Sequence, residues 1–151
     1  MKETTLCYIE NAGRYLMLHR IKKEEDANKG KWIGIGGKLE NGESPEECVI
    51  REIREETSLN ICNLKYRGRV NFVSDIYDDE IMHLYTAISK TDCISICDEG
   101  ELKWIPKEDI FSLNLWEGDK VFLEYLLNDY EEFFEISLIY KGESLFKVIK
   151  E

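Results

Sequence analysis

The sequence predicts an α/β fold in a single domain over residues 1–151, and three observations predict it. The 151 residues are 43% hydrophobic, which suits one compact domain with its own core and leaves little room for a second. Short β-prone runs rich in Val, Ile, Phe, Tyr and Thr recur along most of the chain, separated by turn-type clusters. Between them stands one stretch with complete helix punctuation, and a second amphipathic helix candidate follows.

The elements follow in order. Thr4 to Glu10 and Tyr15 to Arg20 are β-prone runs across Asn11-Ala12-Gly13, which reads as a hairpin. Ile21 to Gly30 is charged and lacks apolar periodicity, so an exposed loop is expected there. Lys31 to Gly37 (KWIGIGG) is glycine-rich and can bring backbone close to a ligand. Ser44 fits an N-cap, Pro45 the first helical position, and Glu47 completes an S-x-x-E capping box, so a helix is placed from Pro45 to about Thr57. Leu64 to Asp75 and Ile81 to Ser89 read as strands around the polar break Tyr77-Asp78-Asp79-Glu80, and Leu102 to Ile105 as another. Pro106 to Phe111 suits a helical turn and Asp119 to Leu127 an amphipathic helix; Phe133 to Tyr140 and Leu145 to Ile149 read as a last hairpin across Lys141-Gly142.

Charge narrows the partners. With 20 Lys+Arg against 31 Asp+Glu, the net charge of -11 repels a nucleic-acid backbone, so no DNA or RNA polymer is expected. A small phosphorylated substrate stays open, because divalent cations bound among carboxylates reverse the local field. Cys7, Cys48, Cys62, Cys93 and Cys97 form an odd set with no CxxC pair, as expected of reduced thiols in a cytoplasmic protein. The opening Met1-Lys2-Glu3-Thr4-Thr5 is polar, and no apolar run is long enough to span a bilayer, so no membrane partner is expected. Whether the protein is a monomer or a dimer is left open by the sequence.

Chemistry concentrates between Gly37 and Leu59. At about 100° per residue, Glu52, Glu55 and Glu56 fall within roughly 100° of arc, so three carboxylates share one helix face. Val49, Ile50 and Ile53 occupy a neighbouring face centred roughly 110° away, and packing that stripe on a sheet leaves the acids at its edge. Like charges at this spacing destabilise a helix by a few tenths of a kcal/mol each. Arg51 can offset them by reaching Glu55 at i+4 and Glu47 at i−4, and a hard cation such as Mg²⁺ would neutralise them better. The alternative is a solvated acidic face with no ligand.

The order of residues bears on that choice. Gly37, five residues, Glu43, seven residues, then Arg51-Glu52-Ile53-Arg54-Glu55-Glu56 resembles the Nudix box, with Ser58 standing where the family has glycine. That glycine would suit a left-handed C-cap, so Ser58 costs up to roughly 1 kcal/mol if its φ is positive, and no ligand is lost. The resemblance implies the Nudix α/β/α sandwich, a mixed sheet between helices, and attack of water on a phosphorus of a nucleoside diphosphate linked to another group. It carries Glu52, Glu55 and Glu56 over as metal ligands or base and the Gly37 carbonyl as a further ligand, with Mg²⁺ as the cofactor and Mn²⁺ as the alternative. Which glutamate is the base differs among subfamilies.

The flanks resemble the MutT-like group that sanitises oxidised purine nucleoside triphosphates. Lys31 to Lys38 looks like the segment before the box in that group, and Asp98 to Pro106 like the stretch that supplies another acid near the metal, with Glu99 the best match by its spacing to Trp104. Leu115-Trp116-Glu117-Gly118-Asp119 resembles a base-recognition element. Trp116 offers a π-face to a base, and Asp119 offers acceptors for guanine-type N–H groups or, protonated, a donor for a carbonyl. The competing reading makes Trp116 a core anchor and Asp119 the cap of the following helix. Phe72 is a further pocket candidate, and Arg20 and Lys38 are candidate phosphate contacts or plain surface cations. Ile33 stands where vertebrate-type members carry a base-binding Asn, so base readout must differ here. His19 and His83 sit in strand-like runs and read as structural.

The expected activity is Mg²⁺-dependent hydrolysis of a purine nucleoside triphosphate, 8-oxo-dGTP first, to the monophosphate and pyrophosphate, in the service of the nucleotide pool and DNA repair. The alternatives are a Nudix hydrolase for ADP-ribose or a dinucleoside polyphosphate, and a non-catalytic nucleotide-sensing domain.

Overall fold

The computed structural model describes residues 1–21 and 28–151. The chain opens with strands β1 (Lys2–Asn11) and β2 (Arg14–His19), paired antiparallel through Glu10↔Tyr15 and Asn11↔Arg14. Their turn is Ala12-Gly13, with φ of 52° and 74°; two consecutive positive φ values give the turn whose twist matches that of the flanking strands. Of the loop expected from Ile21 to Gly30, residues 22–27 lie outside the described residues, Ile21 is exposed and residues 28–30 form a turn.

The remaining elements are β3 (Trp32–Ile33), α1 (Pro45–Thr57), β4 (Ile61–Ser74), β5 (Glu80–Ser89), β6 (Glu101–Pro106), a 3₁₀ turn (Lys107–Ser112), α2 (Glu117–Leu127), β7 (Phe134–Lys141) and β8 (Ser144–Lys150). Each predicted element is present; β2 and β7 are shifted by one residue, and the other predicted strands are one to three residues longer. The sheet runs β3-β2-β1-β5-β4-β7-β8, and β6 also pairs with β2. The β1/β5 and β4/β7 pairs are parallel and the others antiparallel, which makes the sheet mixed.

Two cores form because strand side chains alternate between faces. On β1, Leu6 and Tyr8 point to the face that packs Phe122, Leu123 and Leu126 of α2. Cys7 and Ile9 point to the other face, against Val49 and Ile53 of α1. The result is a sheet between helices, the expected sandwich. Among the described residues no helix is long and apolar enough to cross a membrane. None of the five cysteines is in a disulfide.

Helix α1 is closed at both ends by local chemistry. The Glu47 N–H donates to Ser44 Oγ at 3.2 Å and the Ser44 N–H donates to Glu47 Oε1 at 2.9 Å, satisfying two otherwise unpaired donors. At the other end Ser58 adopts φ 62°, ψ 13°, and its N–H donates to Arg54 O at 3.0 Å. The left-handed cap expected for the family glycine is thus built with a serine.

Candidate active site

Packing of α1 decides where its acids go. Val49 and Ile53 are fully buried on the sheet and Ile50 partly so, which turns the three glutamates into unequal positions. Glu56 is 7% exposed, the Glu52 side chain 16% and the Glu55 side chain 59%. Among the described residues no three acidic, histidine or cysteine side chains converge on one point, and Glu55 is drawn aside to Arg51.

Arg51 is the hub of the acidic face. Its Nε and Nη2 donate to the two oxygens of Glu43 at 2.7 and 2.9 Å, and Nη1 donates to Glu52 Oε1 at 2.8 Å and Glu55 Oε2 at 3.2 Å. The pairing with Glu55 was expected; the pairing with Glu47 is not made. Glu47 is committed to the Ser44 N–H in the capping box, and the loop before α1 folds back to bring Glu43 to Arg51 instead. Hydrogen bonds from Arg51, aided by the Glu40 N–H, pull the Glu43 acid down to about 2.

Glu56 is in the opposite situation. Among the described residues no donor reaches either of its buried oxygens. Burial first, then the facing carboxyl of Glu99, then Glu52, push its acid up to about 9, while Arg20 opposes the rise. Glu52 is raised too, chiefly by burial, with Arg51 working against it and Glu55 and Glu99 adding to it. Glu99 pairs with Arg20 Nη1 at 3.4 Å. Glu52, Glu56 and Glu99 therefore share one electrostatic neighbourhood, with Glu55 at its rim.

Glycines set the approach of three segments. A Cβ on Gly36 would lie 1.9 Å from Thr5 O, and one on Gly37 would lie 2.5 Å from Glu52 Cδ. Only a bare backbone lets the 34–37 segment lie against β1 on one side and the Glu52 carboxylate on the other. The Gly37 carbonyl accepts the Thr5 N–H at 2.8 Å, and the Thr5 hydroxyl at 3.5 Å and the Cys48 thiol at 3.6 Å also donate to it. A Cβ on Gly100 would lie 2.0 Å from His19 O, so Gly100 docks the turn bearing Glu99 on β2. The sequence reading missed Gly100, and only its place beside Glu99 pointed to it.

A cavity of about 670 Å³ opens on the α2 side of the sheet and extends to Gly36 and Gly37. Arg20, Lys38, Phe72, Trp116 and Asp119 all line it, as does Ile33. Two of its lining residues touch the acids: Gly37 abuts Glu52, and Arg20 pairs with Glu99. Trp116 Nε1 donates to Asn28 Oδ1 at 2.7 Å, its ring meets the Tyr140 edge at 5.7 Å, and Lys31 Nζ lies 5.0 Å from the ring centre. Asp119 does not cap α2. The helix begins at Glu117 with Trp116 as N-cap, so Asp119 lies inside the first turn, 5% exposed. Burial, then the nearby Glu80 carboxylate, push its acid up to about 8, with Lys31 opposing.

His19 stacks on Trp32 at 4.3 Å, and His83 lies between Tyr66 Oη at 2.6 Å and Glu3 Oε1 at 3.1 Å, which accords with structural roles for both. The reading of the sequence also passed over Tyr140, whose hydroxyl accepts the Gly118 N–H at 2.6 Å and ties the start of α2 to β7.

The chemistry of these acids, though their side chains do not converge on one point among the described residues, suits a hard divalent cation. The donors are carboxylate and carbonyl oxygens, the set Mg²⁺ prefers, and the two unpartnered oxygens of buried Glu56 lack the counter-charge that such an ion would supply.

Comparison with known proteins agrees with this architecture. The NUDIX domain profile matches residues 2–126. A Nudix hydrolase of Bacillus subtilis, YvcI, is 31% identical over 132 residues, covering 84% of this chain and 80% of the relative. The oxidized purine nucleoside triphosphate hydrolase of Danio rerio is 29% identical over 128 residues, 83% of this chain and 80% of its own. The crystal structure of the MutT protein of Bacillus halodurans superposes with a TM-score of 0.87 at 24% identity, covering 100% of this chain and 98% of that one. With the box on α1, the mixed sheet between two helices and a profile match across most of the sequence, the chain belongs to the Nudix family of hydrolases.

Proposed function

We propose that the protein is a Mg²⁺-dependent pyrophosphohydrolase of purine nucleoside triphosphates, with 8-oxo-dGTP the first substrate to try, acting as a single domain. The observation that carries this reading is the continuity of the cavity with the acids. Trp116, Phe72 and Asp119, aromatic and acidic, line the same cavity as Gly37 and Arg20, which touch Glu52 and Glu99. A base held by the first three would send its phosphates toward the last two, and about 670 Å³ is ample for a nucleotide. The name of the zebrafish relative points to the same substrate class.

Glu52, Glu55, Glu56 and Glu99, with the Gly37 carbonyl, would hold the cation. When bound, such an ion neutralises charge developing on the phosphate oxygens and makes a bound water more acidic. Arg20 and Lys38 orient the phosphates through charge-assisted hydrogen bonds. Trp116 stacks on the base after Lys31 moves aside or on the ring's other face, and Asp119 bonds the base edge. One of the glutamates takes the proton of the attacking water. The new P–O bond to water forms as the bridging P–O bond breaks, leaving a monophosphate and pyrophosphate.

The test is a screen of 8-oxo-dGTP, the common nucleoside triphosphates, ADP-ribose and dinucleoside polyphosphates, with and without Mg²⁺, measuring pyrophosphate and phosphate. Pyrophosphate from a purine triphosphate, only with the cation, supports the proposal. Cleavage of ADP-ribose or a dinucleoside polyphosphate alone refutes the substrate class, and no turnover of any nucleotide refutes the enzyme.

A further inference from the structure

The cavity holds a second acid whose position the box and its flanks do not announce. Glu80 opens β5 and faces Phe72 across the β4/β5 ladder and Lys2 across the β1/β5 ladder, and all three line the cavity floor. The Thr4 hydroxyl donates to Glu80 Oε2 at 2.6 Å and Lys2 Nζ lies 3.6 Å from Oε1, the surroundings of a carboxylate. Asp119 lines the same cavity from α2, and Glu80 is the charged group that most raises its acid.

We propose that Glu80 is a specificity-determining residue that, together with Asp119, selects a guanine-type base over adenine; this rests on the nucleotide reading of the same cavity. Two different hydrogen-bonding partners line one cavity, close enough for the charge of one to act on the other. Glu80, held by Thr4 and Lys2, is an acceptor only. Asp119, buried with an anion nearby, holds its proton near neutral pH and can donate as well as accept. A guanine-type edge carries adjacent N–H donors beside a carbonyl acceptor, so a carboxylate and a carboxylic acid match it together. Adenine offers a ring nitrogen lone pair where guanine has N1–H, and a carboxylate facing that lone pair is repelled. Ile33 lines the cavity without a polar side-chain atom and adds no hydrogen bond to this readout.

The experiment measures binding of GMP and AMP to the full chain by calorimetry, for wild type and Glu80→Gln, so that it does not depend on turnover. Gln keeps the shape and can still accept from Thr4, and a melting curve checks that the variant folds. Glu80→Gln is expected to weaken GMP by about tenfold or more, the scale of one hydrogen bond to a charged group, and to leave AMP unchanged or bound more tightly, because the repulsion of its ring nitrogen is removed. Equal weakening of both nucleotides, or no change in either, overturns the assignment of specificity to Glu80 while the nucleotide reading stands. Failure of the wild type to bind either nucleotide overturns the nucleotide reading, and the inference with it.

Discussion

The Arg51 guanidinium grips the Glu43 carboxylate with two hydrogen bonds, 2.7 and 2.9 Å long, across eight residues of sequence. This clasp ties the loop before α1 to the helix face that carries the acids, and Nη1 of the same side chain steadies Glu52 and Glu55. Arg51→Ala is expected to lower the melting temperature and to blunt activity by freeing the loop. The effect has a sign in pH. The folded Glu43 acid is depressed from 4.5 to about 2, so its stabilising contribution is present above 4.5 and lost as pH falls through about 2. The gap in melting temperature between wild type and Arg51→Ala should therefore be widest above pH 4.5 and narrow toward pH 2, as followed by melting across that range.

Trp116→Ala removes an aromatic wall of the cavity; the ring is partly buried and packs on Tyr140 at the margin of a core cluster, so a melting curve must first show that the variant folds. If a base stacks there, KM should rise by the equivalent of about 1 to 3 kcal/mol with little change in kcat. Steady-state kinetics on the best substrate of the nucleotide screen checks this, and an unaltered KM for every substrate contradicts it.

Asp119→Asn tests the buried acid on α2. A carboxyl whose pKa rises from 3.8 to about 8 on folding leaves stability intact below 3.8 and loses it progressively as pH climbs to about 8, because the unfolded chain ionises first. The loss is on the order of a few kcal/mol. Denaturant unfolding in a chelator should show wild-type stability falling across that window more steeply than that of Asp119→Asn.

Ser58→Gly should raise stability by roughly 0.5 to 1 kcal/mol, since Ser58 holds φ 62° where glycine meets no penalty. Equilibrium denaturation measures it, and kinetic constants should not move.

What was legible in the sequence was what local rules govern. Ser44, Pro45 and Glu47 announced where α1 begins, and the i, i+3, i+4 spacing put Glu52, Glu55 and Glu56 on one face, because both depend on a single helix. Their unequal burial was not legible. It follows from how Val49 and Ile53 seat on the sheet and from the turn at Glu99, which Gly100 docks on His19. The reading of Arg51 toward Glu47 failed because two local rules compete for one carboxylate, and the capping box holds it. The competing reading of Asp119 as a cap, which rests on the frequency of Asp before an amphipathic run, fails because α2 starts two residues earlier. Glu80 escaped notice because its meeting with Phe72 and Lys2 is set by strand register across both neighbours, which composition does not reveal.

Cation binding by the α1 acids, as proposed, runs through the oxygens of Glu56, which no donor reaches among the described residues. Its most direct test is calorimetric titration of Mg²⁺ or Mn²⁺ into wild type and Glu56→Gln at pH 7, in two buffers of different ionisation enthalpy. Because burial and the Glu99 carboxyl push the cation-free Glu56 acid up to about 9, wild type is expected to release protons on binding. Glu56→Gln should bind at least about tenfold more weakly and lose turnover by orders of magnitude while melting like a folded protein. Equal cation affinity in the two proteins, with no proton released by either, would contradict it.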